Sequence, residues 1–221
     1  MRKQIMIIGL GQFGMSLARS LSEKGAEVLA VDSNPELIRS ASQFVEEAVC
    51  FDATDEIALG QTAPARRDVC ICAIGSDSKE ASIICTALLR QQGGKRILAR
   101  ANDPLHERIL RLVGAHEVVN PERDFGDRLA NRLVFEGVID EMPLGEDLVI
   151  TEIKLPDSLA GRTLTDLKLP NLFGITVVAI RNEINGEIRI PNAQDPLSEK
   201  ETLVIVSKRG AVGRWIKGFS K

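Results

Sequence analysis

The chain has 221 residues, 44 % of them hydrophobic and 27 % charged, with a formal net charge of −3. That length can carry two domains with cores of their own, and the mildly acidic balance excludes the basic excess expected of a nucleic-acid binder. No apolar run reaches the roughly 18 residues of a membrane-spanning helix, and Met1-Arg2-Lys3-Gln4 enters the first strand with no room for a signal peptide, so a cytoplasmic protein is expected.

The first apolar run, Ile5-Met6-Ile7-Ile8, ends in Gly9-Leu10-Gly11-Gln12-Phe13-Gly14. A helical stretch follows, and then a second apolar run that ends in Asp32. Gly9 permits the tight turn out of the strand, Gly11 lets backbone approach a phosphate, and Gly14 lets the helix pack closely on the sheet. The free amides at the helix start favour an anion, and Asp32 is placed to accept hydrogen bonds from ribose hydroxyls, disfavouring a 2′-phosphate. The order strand, glycines, helix, strand, acid reads as an adenine-nucleotide site, against a glycine turn of purely structural use.

Strand signals at 4–9, 27–32, 47–51, 68–74, 96–101 and 116–120 alternate with helical patterns. Asn34-Pro35 and Asp103-Pro104 each supply a cap and a first-turn proline for the helix that follows. The alternation predicts a doubly wound, parallel six-stranded sheet of Rossmann type, with its ligand crevice at the carboxyl ends of the strands where the strand order reverses. Around that crevice Asp52, Ala53 and Thr54 follow the third strand, with capping of the next helix as the alternative use of the polar pair. Ile74, Gly75 and Ser76 end the fourth strand beside the phosphates. Arg100 ends the fifth, in reach of a phosphate or of a rim ion pair, and Glu122 opens the helix after the sixth, where it serves the helix dipole or a cation held by nucleotide phosphates. Cys50, Cys70, Cys72 and Cys85 lack metal or redox spacing and read as small hydrophobes.

Beyond Asn120-Pro121 the character changes. A helical pattern covers 122–139, Met142-Pro143-Leu144-Gly145 reads as a break, and strands separated by turns follow at 147–155, 174–182, 187–190 and 202–207, with a short helix within 159–167. The expected organisation is a nucleotide-binding domain at 1–121, a crossover helix at 122–142 and a small α+β domain at 143–221.

Reaction chemistry is missing. There is no tyrosine for a Tyr-Lys pair, no P-loop and no nucleophile elbow, and His106, placed on a helix surface, and His116, at the start of a strand, have no orienting partners. A nucleotide site without a reaction centre points to sensing and not to an enzyme. A nicotinamide-dependent oxidoreductase and a stand-alone nucleotide-binding protein are the alternatives.

Gly9 to Gly14, Ala30-Val31-Asp32, Phe51 to Thr54, Ala73-Ile74-Gly75, Ala99-Arg100-Ala101 and Asn120 to Gly126, in that order, resemble the RCK family, the regulators of K⁺ conductance. The tail, with Gly161 to Leu164, Leu172-Phe173-Gly174, Val177 to Arg181 and Leu203 to Val206, resembles the family's C-terminal domain. Within the family the chain is similar to cytoplasmic regulatory subunits of Trk/Ktr-type potassium transport systems. The resemblance implies a homodimer formed partly by the helix after the sixth strand, assembling into an octameric ring beneath a membrane potassium-translocating subunit. It implies ATP, ADP or NAD(H) as ligand. By position, Gly9, Gly11, Gln12, Phe13 and Gly14 would hold phosphates and Asp32 the ribose. Asp52, Ala53 and Thr54 would flank the adenine, Arg100 would approach the phosphates, and Glu122 would lie near a divalent cation, Mg²⁺ or Ca²⁺. Gln12 stands where ATP-responsive members often carry arginine, and glutamine offers no charge-assisted bond to a terminal phosphate. Arg181, Asn182, Ile190 and Pro191 lie where some members bind cyclic di-AMP.

Overall fold

The computed structural model describes residues 2–75, 78–145 and 147–219, which divide into two compact units meeting at Glu122/Arg123. In the first, strands and helices alternate: β1 (Gln4–Ile8), α1 (Gln12–Glu23), β2 (Glu27–Asp32), α2 (Pro35–Ala41), β3 (Glu47–Cys50), α3 (Glu56–Gln61), β4 (Val69–Cys72), α4 (Lys79–Gln91), β5 (Ile97–Arg100), α5 (Pro104–Leu112) and β6 (Glu117–Val119). The sheet order is β3-β2-β1-β4-β5-β6, with every neighbouring pair parallel. Both faces are covered, which is why these strands read as continuous apolar runs. Met6, Ile8, Leu29 and Cys72 pack with Cys85 and Leu89 of α4 and Leu110 of α5 on one face. Ile5, Ile7 and Ala30 pack with Ala18 of α1 and Ala41 of α2 on the other. The expected starts of α2 and α5 are present: the Asn34 side chain accepts from the Glu36 amide, and Asp103 from the His106 amide, each at 2.9 Å. Strand order reverses between β1 and β4, whose ends Ile8 and Cys72 lie in register, so the crevice opens beyond those two residues.

The chain continues through α6 (Pro121–Val134), β7 (Val138–Leu144), β8 (Leu148–Lys154), α7 (Leu164–Leu167), α8 (Leu169–Phe173), β9 (Thr176–Asn182), β10 (Ile188–Arg189), β11 (Glu201–Lys208) and α9 (Ala211–Phe219). The second unit is built on an antiparallel sheet in the order β10-β9-β11-β8-β7. Its core holds Ile153, Ile180, Leu203 and Ile205, with Trp215 of α9 fully buried among them.

Three details differ from the sequence reading. The helix after β6 stops at Val134, and 138–144, expected as the end of a crossover helix and a break, form β7, which pairs with β8. Pro143 fits there because β7 is an edge strand, where a missing backbone donor costs no ladder bond. The short helix expected within 159–167 is confined to α7, and a second short helix that the pattern did not show, α8, follows it after Lys168, which sits in the left-handed region at φ 47°. His106 is not on the surface of α5 but 2 % exposed, because it shares the inward face with Leu110 while Leu105 and Leu112 point out.

Candidate nucleotide-binding site

The turn after β1 needs glycine at two positions on steric grounds. Gly9 sits at φ +92°, and a Cβ there would lie 2.8 Å from the Ile74 amide nitrogen. A Cβ on Gly14 would come within 1.9 Å of the Gly9 carbonyl oxygen, so α1 can approach the sheet this closely only with glycine at that position. Gly11, by contrast, faces open space. It caps α1 without a side chain, and no acidic residue stands in the first turn, so the opening amides of α1 are left for an anion.

Asp32, at the end of β2, is held by backbone. One carboxylate oxygen accepts from the Leu10 amide at 2.6 Å and the other from the Asn34 amide at 2.8 Å. The acid therefore braces the glycine turn while facing the same cleft. That cleft, about 280 Å³ in volume, is lined by Gly9, Gly11, Asp32, Asp52, Ala53, Ile74 and Gly75, seven of the residues named from sequence. Asp52 does not cap a helix: it accepts from the Thr54 amide at 2.9 Å and hydroxyl at 2.8 Å, while Asp55 caps α3. The Thr54 amide first, and its hydroxyl second, hold the Asp52 carboxyl below the usual carboxylate range, keeping an anion at the cleft wall.

Thr54, Gln12, Phe13, Gly14 and Arg100 do not line the cleft themselves. Thr54 orients Asp52, Gln12 is exposed, and Gly14 is buried beneath α1. Ser76 lies outside the described residues. Arg100 stands at the cleft's edge, its Nη1 3.6 Å from the Cβ position of Gly75 and its guanidinium carbon 5.7 Å from the centre of the Phe13 ring. Its Nη2 is bonded to the Glu122 carboxylate. Glu122 is thus engaged by an arginine, and among the described residues no cluster of three or more His, Cys, Asp or Glu side chains is placed to hold a metal ion.

Six lining residues, Ile8 at the end of β1 among them, were named only in passing or not at all. Phe51 and Ala73 adjoin motif residues, and Ser33 follows Asp32 directly. Ser78 and Ala81, at the start of α4, had no sequence signal beyond following the fourth strand. Neither histidine lines the cleft. His116 accepts the Ile97 amide on Nδ1 at 2.9 Å, and both ring nitrogens of His106 are buried without a partner among the described residues. In the second unit Arg181 bonds Glu152 at 3.2 Å, Asn182 accepts from the Ile184 amide at 2.8 Å, and Ile190 is 87 % exposed. Pro191 lines an apolar cleft with Leu164 and Ile175.

Fold and cleft together define the class, a Rossmann-type parallel-sheet unit followed by a small antiparallel-sheet unit. Family models assign both parts, the TrkA-N domain over residues 5–121 and the TrkA-C domain over 149–216, and the chain belongs to this family of potassium uptake proteins. It is 34 % identical over 218 residues to Ktr system potassium uptake protein C of Bacillus subtilis (strain 168), covering 98 % of this chain and 97 % of that one. It is 32 % identical over 219 residues to Ktr system potassium uptake protein A of Vibrio alginolyticus, covering 98 % of each. Among solved structures, the GsuK channel bound to NAD superposes with a TM-score of 0.66 at 20 % identity, covering 96 % of this chain and 38 % of that one. GsuK bound to ADP gives 0.52 at 24 %, covering 61 % and 35 %. These channels share the fold, and the chain spans less than two fifths of their length.

Proposed function

We propose that this chain is the nucleotide-sensing regulatory subunit of a potassium uptake system, acting at the cytoplasmic face of the membrane on a separate potassium-translocating subunit. The observation that carries the reading is the cleft at the β1/β4 switch point, where an uncapped helix start and a braced Asp32 converge in a member of a potassium-uptake family. The opening amides of α1 would take phosphates and Asp32 the ribose hydroxyls of ATP, ADP or NAD(H). GsuK, a channel of like fold, has been solved with NAD and with ADP. Neither histidine reaches the cleft, which supports a sensor over a dehydrogenase. No helix among the described residues is long and apolar enough to cross a membrane, in keeping with a translocating partner.

α6 buries none of its side chains and sets Phe125, Leu129 and Leu133 along one face at i, i+4 and i+8, exposed by 65 %, 38 % and 77 %. A second copy of the chain is the occupant this stripe fits, and the resulting dimers would build the ring, octameric on the family resemblance. A divalent cation would meet Glu122 once that carboxylate has left Arg100. As a single protein carboxylate, Glu122 would share the ion with nucleotide phosphates. A tenfold preference of the ligand for one ring shape supplies about 1.4 kcal/mol per site, and several sites acting on one ring add.

Potassium uptake in a strain deleted for this chain tests the reading. The wild-type chain should restore growth at low potassium and Asp32→Ala should not; restoration by both would remove nucleotide sensing from the account.

A further inference from the structure

We propose that the Arg100–Glu122 ion pair is a latch that nucleotide phosphate must open, so that filling the cleft frees the first turn of α6. The inference rests on the nucleotide site proposed above and concerns how that site is regulated. Arg100 ends β5, and the β5/β6 register sets it beside Val119, three residues before Glu122 in the opening turn of α6. The arginine side chain is 14 % exposed and the glutamate 60 %, so the guanidinium is the fixed member and the carboxylate the one free to move. On its other side the guanidinium stands at the cleft's edge: Nη1 lies 3.6 Å from the Cβ position of Gly75, a lining residue, and the ring of Phe13, in the first turn of α1, is beside it. Among the described residues its Nε is buried with no hydrogen-bond partner, a spare donor on a group already bonded at Nη2. An unmatched buried N–H is costly, and a phosphate held on the opening amides of α1 is an acceptor of the right charge for this guanidinium.

Arg100 cannot give the same donors to Glu122 and to a phosphate. A phosphate that claims the guanidinium therefore displaces the carboxylate, and the first turn of α6 loses its tie to the end of β5. The converse follows by linkage: a chain whose α6 turn is already released binds the phosphate more tightly. Glu122 thus opposes nucleotide binding in the absence of divalent ions, although it stands beside the phosphate site.

The test is calorimetric titration of ADP into the purified full chain in EDTA, comparing wild type, Glu122→Gln, Arg100→Gln and the double variant. Glu122→Gln should bind ADP about three- to fivefold more tightly, the size set by a partly exposed ion pair. Arg100→Gln should bind about tenfold more weakly, and adding Glu122→Gln to it should change nothing further. Hydrogen exchange gives a second readout: amides at 122–126 should exchange faster when ADP binds the wild type, and should already be fast in Glu122→Gln without ligand. Unchanged or weaker ADP binding by Glu122→Gln, with the wild type binding normally, overturns the latch alone. No ADP binding by the wild type overturns the nucleotide site and the latch with it.

Discussion

Asp32→Ala tests the joint between fold and ligand, because this carboxylate both braces the turn and faces the cleft. In the unliganded chain it accepts from the Leu10 amide at 2.6 Å and the Asn34 amide at 2.8 Å. Leu10 is 1 % exposed, so its amide has no ready replacement in water and its loss of partner costs about 1–3 kcal/mol. The Asn34 bond is at the surface, where water takes over most of its value. The expected loss is about 2 kcal/mol, which lowers the melting temperature by about 4–8 °C in a chain of this size. The ligand loses a charged acceptor for its ribose hydroxyls, about 1.5–3 kcal/mol, and binding should weaken at least tenfold. Thermal melts with and without ADP, together with calorimetric titration, read both effects. A variant that melts lower yet binds ADP as well as the wild type would show that Asp32 only braces the turn. One that changes neither quantity would refute the reasoning outright.

Gly14→Ala forces a Cβ to within 1.9 Å of the Gly9 carbonyl unless α1 shifts, and should cost about 3 kcal/mol and weaken ADP binding; a melting curve like the wild type's would contradict the close approach. Burial holds the His106 pKa below its ordinary value, partly opposed by Asp103 and reinforced by Lys79. The folded state therefore disfavours the charged ring, so the stability His106 contributes is complete above about pH 6.5 and is lost as pH falls below it. Melting temperature should drop between pH 6.5 and 5 in the wild type and stay flat in His106→Leu, and equal slopes would exclude His106 as the cause. Leu133→Glu places a charge in the exposed stripe of α6 and should lower the particle mass measured by light scattering, whereas an unchanged mass would mean the stripe is not a contact between copies.

The first unit was readable because its physics is local. A strand buried on both faces is an unbroken apolar run, and Asn34-Pro35 and Asp103-Pro104 announce helix starts with caps that the structure contains. β7 was not readable: Val138 to Leu144 form an edge strand that mixes acids with a proline, and only its pairing with β8 makes it a strand. The phase of α5 misled for a related reason. Leu105 and Leu112 are apolar yet point outward at 67 % and 78 % exposure, so the inward place of His106 is set by packing and not by pattern. Seven of the cleft's residues could be named from motifs, since glycines and an acid at fixed spacing imply a geometry. The Arg100–Glu122 bond joins residues 22 positions apart through a strand register that no local pattern encodes.

The central claim is that this chain senses an adenine nucleotide, and direct titration of the purified protein with ATP, ADP, NAD⁺ and NADH, each with and without Mg²⁺, tests it. The account predicts saturable binding of at least one of them, one per chain, with about 2.7 kcal/mol of added stability at a hundred times the dissociation constant, and loss of that binding in Asp32→Ala. No binding of any of the four, or binding indifferent to Asp32, would contradict it.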